Sequence, residues 1–371
     1  MKIFILQGKY PNFRRLKISV FSLFPTMSIF KFYPVQILIT ILIAQLCVIN
    51  ACKIKSAFEK ITPVKITVDE SYYNAIGEQS MVHDSNILSV IHRDSVLTAI
   101  LSKSILVGGD SIDQVRIFHD YFNDTNRIRL KATIDKVFNQ VPWVDALGSP
   151  VARYLASFPG RDTPSVYTII SDFNYSIFLF QDEHKRDAIG IGKEMFLGNP
   201  AYYDPLSTSN PNFSSYLNRT FNTNHLVSKI IFALATDVVR SPANNRILDH
   251  MLYEGKKLYF VKKWLPGIQD TLLHEYSGEQ WDWVQHNELD IWRFLLADKL
   301  LYKMSGKDVA NLIEPAPHSQ GMPPEAPGRA ANYIGLRIIE AYMKKNKLTD
   351  QELAGLQDYD GILRMAKYSP R

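Results

Sequence analysis

The chain has 371 residues, 46% hydrophobic and 12% aromatic, enough for a large core. Its formal net charge of +5 is misleading, because residues 1–51 hold six basic side chains and no acid; the other 320 residues carry 36 basic against 37 acidic groups. A domain so close to neutral has no general electrostatic pull on nucleic acid, and two cysteines exclude a disulfide framework.

The first element is an uncharged apolar run from Val35 to Ala51, preceded by Lys31 and followed by Cys52 and the polar Lys53-Ile54-Lys55. Basic, apolar and small-residue regions in that order make an export signal, and 17 residues is short for a membrane span. Ile49-Asn50-Ala51-Cys52 resembles the bacterial lipoprotein cleavage motif, in which the cysteine becomes the first residue and carries lipid on its sulfur. Residues 1–51 are therefore expected to be a signal peptide, starting in truth at Met27, with Cys52 as the lipidation site. The alternative is an uncleaved anchor helix. Cys47 leaves with the signal, so no internal disulfide is expected. Lys53 is not the Asp of the usual inner-membrane retention signal, so an outer-membrane anchor facing the periplasm is expected, with the inner membrane as the alternative.

Residues 52–65 read as a tether and 66–371 as a single domain, with 66–160 a helical lobe. Ile87, Leu88, Val90, Ile91, Val96, Leu97, Ile100 and Leu101 recur at helical spacing, continued by Ile117, Phe118, Tyr121 and Phe122. The β-rich runs 166–170 and 175–180, joined by Ser171-Asp172-Phe173-Asn174, predict an antiparallel hairpin. A third run, Ala188 to Gly192, has alternating glycines but no phosphate-loop continuation, so its glycines are expected to admit close backbone approach. Four helices follow: one striped by Leu226, Val227, Ile230, Ile231 and Leu234 and ended at Ser241-Pro242, one from Ile247, one over Trp281 to Lys303 and one over Gly328 to Lys344. Trp281 and Trp292 are spaced to share a face, and Thr349-x-x-Glu352 opens a short final helix.

Several blocks carry a family resemblance. Ile191 to Asn199 with Tyr202-Tyr203, then Leu252-Tyr253-Glu254-Gly255-Lys256, then Pro327 to Gly335 with Ile338-Ile339 and Tyr342, together with the Cys52 motif, resemble the gliding-motility lipoprotein GldB family of the Bacteroidetes. The resemblance spans most of residues 35–345. It implies a role in gliding motility and the linked type IX secretion machinery, with other envelope proteins of that machinery as partners. GldB-like proteins are in turn similar to predicted zinc proteases of the gluzincin type, which implies a helix carrying H-E-x-x-H and a distal Glu on a second helix.

The chemistry argues against the metal. A catalytic zinc needs three protein ligands and an open position, and two of the ligands sit one helical turn apart. The resemblance puts Ser228 and Phe232 where the histidines belong, Lys229 where the general base belongs and Glu254 at the distal ligand. Phe has no lone pair, Ser is a poor zinc ligand and an ammonium repels the metal. His225, His250 and Glu254 make an imaginable substitute set without an obvious base, and His274-Glu275 begins like the motif but has Gly278 in place of its second histidine. No Gly-x-Ser-x-Gly nucleophile is present.

A Pro-rich segment from Pro315 to Pro327 is expected by family analogy to lie near the old cleft, with Arg329, Asn332 and Tyr333 beyond it as a binding surface. A stiff solvated connector is the plainer alternative. The expectation is thus a mostly helical α+β fold with a small antiparallel-containing sheet, gluzincin-like and metal-free, without cofactor. It would be a pseudo-metallopeptidase acting as an envelope binding or scaffold lipoprotein. The alternatives are a zinc metallopeptidase with unconventional ligands and a cell-wall-binding lipoprotein.

Overall fold

A computed structural model describes residues 61–105, 114–304, 306 and 310–370. The signal segment, Cys52 and residues 53–60 of the tether lie outside the described residues. Within them the protein is mostly helical around a small mixed sheet, an α+β arrangement.

The strands form on the β-rich runs. They are β1 (Val68–Asp69), β2 (Ser165–Ile169), β3 (Ile177–Gln181) and β4 (Asp187–Gly192), in the order β1-β2-β4-β3. β1, β2 and β4 are parallel, and β3 is the antiparallel edge. The hairpin expected between 166–170 and 175–180 does not form, because β4 inserts between those two runs.

The cause lies in their connection. Asp172 and Phe173 are both left-handed, at φ 52° and 64°. Glu194, just beyond β4, accepts the N–H groups of Ser171 at 2.7 Å and Phe173 at 3.1 Å and the Ser171 hydroxyl at 2.6 Å. The turn is thereby clasped to the end of β4 and leads the chain out to the edge. The reversal that does form joins β3 to β4, where the buried Asp182 carboxylate takes the N–H groups of His184 and Arg186 and the Arg186 guanidinium. The glycines of β4 do admit close approach: a Cβ on Gly190 would lie 2.0 Å from the Phe178 ring, and one on Gly192 would lie 2.1 Å from the Tyr175 carbonyl.

Among the described residues, six α-helices precede β2: α1 (Ser71–Ala75), α2 (Asp84–Ile91), α3 (Ser95–Ile105), α4 (Gln114–Asn123), α5 (Thr125–Phe138) and α6 (Trp143–Ser157). Those after β4, two single turns aside, are α7 (Thr223–Val238), α8 (Ile247–Trp264), α9 (Asp270–His274), α10 (Gly278–His286), α11 (Glu288–Leu296), α12 (Ala330–Lys345), α13 (Asp350–Gly355) and α14 (Tyr359–Ala366). One continuous apolar core runs from Ile66 to Ala366, centred on fully buried rings such as Trp264 and Phe260.

Two expected helices are corrected. The span from Trp281 to Lys303 holds α10 and α11, separated at Asn287, whose N–H and side-chain amide both bond back to the Trp283 carbonyl and close α10. Trp281 and Trp292 therefore do not share a face; Trp281 packs on His274 and Tyr333, Trp292 on Tyr368. The Thr349 capping box does open α13, but α14 follows it.

α8 and α12 cross backbone to backbone. A Cβ on Gly255 would meet the Gly335 carbonyl carbon at 2.4 Å, and one on Gly335 would meet the Met251 carbonyl oxygen at 2.1 Å. Rigid backbone cannot yield as a side chain would. Gly335→Ala is therefore expected to cost about 1–3 kcal/mol by forcing the helices apart. An unchanged urea midpoint would show that the crossing tolerates separation.

Candidate functional site

The α8–α12 crossing sets two short helix faces around a cavity of about 300 Å³. α7 is started by Asn222, whose side chain accepts the Asn224 N–H, and it buries Leu226, Ile230, Ile231 and Leu234. That packing turns Ser228, Lys229 and Phe232 to the cavity. α8 contributes Glu254, and the N-terminal end of α12 contributes Arg329 and Asn332. The segment after α9 supplies His274, Glu275 and Tyr276.

Glu275 is the centre of the charge arrangement. It ends α9 in the left-handed region at φ 54°, and Arg329, the N-cap of α12, is also left-handed at φ 68°. Such conformations cost non-glycine residues of order 1–3 kcal/mol and persist where the surroundings hold them. Here the surroundings are ionic: the Lys229 ammonium donates to Oε1 of Glu275, and Arg329 Nη2 donates to Oε2 at 3.0 Å. Arg219 Nη2 donates to the Glu275 main-chain oxygen at 2.6 Å. Burial pushes the Glu275 carboxyl up, but the Lys229 and Arg329 charges outweigh it and hold the group well below the usual carboxylate range.

The neighbouring histidines are neutral. Burial, with Arg329 and Lys262 adding to it, pushes His274 down to about 3. Its ring stacks between Tyr276 and Trp281, at 5.5 and 5.4 Å between centroids. His225 is pushed down to about 4, first by burial and then by Lys229 and Arg219, against the pull of Glu275.

Glu254 forms a second ion pair, with Lys257 at 2.5 Å. The Lys257 ammonium lies over the rings of Tyr253 and Phe232, at 4.4 and 4.8 Å from their centroids. Asn332 donates from Nδ2 to the Ile313 carbonyl at 2.8 Å, while its buried Oδ1 and the buried Tyr276 hydroxyl have no partner among the described residues.

Ser228, Lys229, Phe232 and Glu254, spread over two helices, thus share one cavity wall with Arg329 and Asn332. Tyr333 separates from them: its hydroxyl donates to Glu288 at 2.8 Å on the far side of the His274 ring. Residues 315–327 do not line the cavity. They fold into a strap closed by Ser319, which bonds to the Ala326 and Pro327 carbonyls, and the Arg329 N–H donates to the Asn311 carbonyl. Sequence reasoning missed Glu275, Arg219 and Lys257. Only Lys257 left a signal, its i,i+3 spacing from Glu254.

The donor set does not fit a zinc ion. Ser228 spends its hydroxyl on the His225 carbonyl at 2.9 Å, Lys229 and Arg329 bring positive charge, and Glu254 is already paired. The substitute set does not converge, since His225 bonds to Asn222 and His250 to Asn245. Among the described residues, no group of three or more His, Cys, Asp or Glu is placed to hold a metal ion.

No helix among the described residues is long and apolar enough to cross a membrane. No curated protein and no solved structure matches the chain. The family model described as gliding motility protein GldB matches residues 52–370, a stretch that opens on Cys52 and takes in every residue of the cavity, and the chain therefore belongs to the GldB family of gliding-motility lipoproteins.

Proposed function

We propose that this GldB-family lipoprotein is a non-catalytic binding or scaffold component of the gliding motility machinery and the linked type IX secretion apparatus. The cavity, where the resemblance would put a zinc site, serves on this reading as a binding cavity. The observation that carries the reading is the Lys229–Glu275–Arg329 cluster, which fills with fixed charge the place where the resemblance puts a zinc ligand set and its base. An ammonium and a guanidinium there stabilise an anionic group and cannot activate a metal-bound water. The lipid on Cys52 would hold the domain at the outer membrane, facing the periplasm, in reach of other envelope proteins of the machinery.

Two measurements test this. Purified protein is expected to carry no stoichiometric zinc; zinc at one per chain, lost in Glu254→Ala, would sink the non-catalytic reading in favour of a metallopeptidase. Cys52→Ser is expected to move the protein out of the membrane fraction and to lose motility or secretion partners in pull-downs from cross-linked envelopes. Recovery of no such partner with the native protein would remove the machinery from the proposal.

A further inference from the structure

Two cations of this cavity, Lys229 and Arg329, converge on one carboxylate, and a third, Arg219, reaches the same residue from outside the cavity lining. Arg219, Lys229 and Arg329 all bond to Glu275, two to its side chain and one to its main-chain oxygen, leaving an excess of positive charge. Glu254 does not offset it, because Lys257 already neutralises Glu254. Buried and half-buried charges are ordinarily matched, so an excess at a cavity wall marks the place of an anion.

The free hydrogen-bonding capacity agrees. Arg329 uses only Nη2, and its Nε and Nη1 have no acceptor among the described residues; Lys229 has Glu275 as its one acceptor. Arg329 also caps a helix of 16 residues, whose dipole adds positive potential at that end. One turn along the same helix, Asn332 Oδ1 is an acceptor without a donor, but it is closed to solvent. Much of the remaining wall is apolar, formed by side chains such as Ile177, Phe232, Leu258 and Leu273, with Ser176, Ser228 and the paired Glu254 among them. About 300 Å³ is the lower end of the range for ligand pockets, room for a group the size of one or two amino-acid residues.

We propose that the cavity binds the carboxylate of a small apolar acid. The carboxylate bridges Arg329 and Lys229, and the apolar body packs on Phe232 and Leu258. The proposal rests on reading the cavity as a binding site. The same chemistry is offered by the C-terminal residue of a peptide and by a free branched or aromatic acid.

The test uses the full mature chain in detergent micelles, with protein-free micelles as the blank, and titrates N-acetyl-leucine, 4-methylpentanoate and N-acetyl-leucinamide by calorimetry. Both acids are expected to bind saturably, and the amide at least tenfold more weakly, since it lacks the charge that strengthens the bonds from Arg329 and Lys229. N-acetyl-leucine binding more tightly than 4-methylpentanoate identifies a peptide C-terminus, whose amide then adds to the affinity; equal affinities identify a free acid. Arg329→Gln is expected to abolish the preference for acid over amide, and Glu275→Gln, which removes the competing carboxylate, to tighten acid binding severalfold. Should Arg329→Gln fail to fold, Lys229→Gln reads the same loss while leaving Glu275 its arginine. Absence of saturable binding by either acid, or equal binding of acid and amide, overturns the proposal. Acid binding without an envelope partner removes only the machinery assignment, and a captured partner without acid binding removes only the pocket chemistry.

Discussion

Glu275→Ala is expected to destabilise the domain by about 3–5 kcal/mol, the range found when one member of a buried ion pair is removed. The cost comes less from the bonds lost than from what remains. Lys229 and Arg329 side chains are each 22% exposed, too little for water to replace the carboxylate, and they would face Arg219 and one another with no counter-charge between them. The residual exposure places the effect toward the lower end of that range. A companion variant separates charge from backbone. Glu275 sits at φ 54°, where alanine is as strained as glutamate but glycine is not, so Glu275→Gly should recover about 1 kcal/mol of the loss. Urea unfolding of the three proteins measures both steps. If the alanine variant lies within 1 kcal/mol of the native protein, as for an exposed salt bridge, the cluster does not hold the site together.

That cluster also shows where sequence reading ends. Ser228, Lys229 and Phe232 could be grouped with Glu254 because the 3.6-residue period fixes the spacing on one helix and the zinc-protease resemblance assigned that helix and the Glu254 helix to one site. Glu275 was not, because its role is set by partners 46 and 54 residues away in sequence and by a left-handed backbone that no local pattern announces. It stood out only as part of His274-Glu275, a pair with the wrong continuation for a metal motif.

The sheet divides in the same way. β-branched and aromatic runs made the strands visible, and Gly190 and Gly192 signalled close approach. The strand order was hidden, because it depends on Glu194 reaching back to the turn at Ser171–Phe173, a contact between distant parts of the chain. Asn287 broke an otherwise helical span by capping α10 with its own side chain, where apolar periodicity alone runs straight through. Nothing in the apolar pattern distinguishes Trp281 and Trp292 on one long helix from the same residues on two.

The clasp that orders the sheet is also expected to make stability depend on pH. Glu194 is fully buried, its Oε2 has no partner among the described residues, and burial pushes its carboxyl up to about 7 in spite of the bonds from Ser171 and Phe173. In the unfolded chain it ionises near its ordinary value of 4.5. Between those two values the native state holds a proton that the unfolded state has released, so this group lowers stability as pH rises from 4.5 to 7, by about 3 kcal/mol at 1.36 kcal/mol per unit. His225 and His274 act in the opposite direction. Their native values of about 4 and about 3 lie below the ordinary 6.5, so the unfolded chain gains protons first and stability falls as pH drops below 6.5. A single pH curve of the native protein would therefore mix the two effects, and the comparison with Glu194→Gln separates them. Glutamine can accept the same three bonds through its carbonyl oxygen and has no charge to bury. Any fixed cost of its unpartnered amide is the same at every pH, and the histidines cancel. The stability of Glu194→Gln relative to the native protein should therefore improve by about 3 kcal/mol between pH 4.5 and pH 8, read from urea midpoints at four or five pH values. A difference that stays constant across that range would mean that Glu194 is ionised in the native state at neutral pH, with a counter-charge or solvent path supplied at the end of β4.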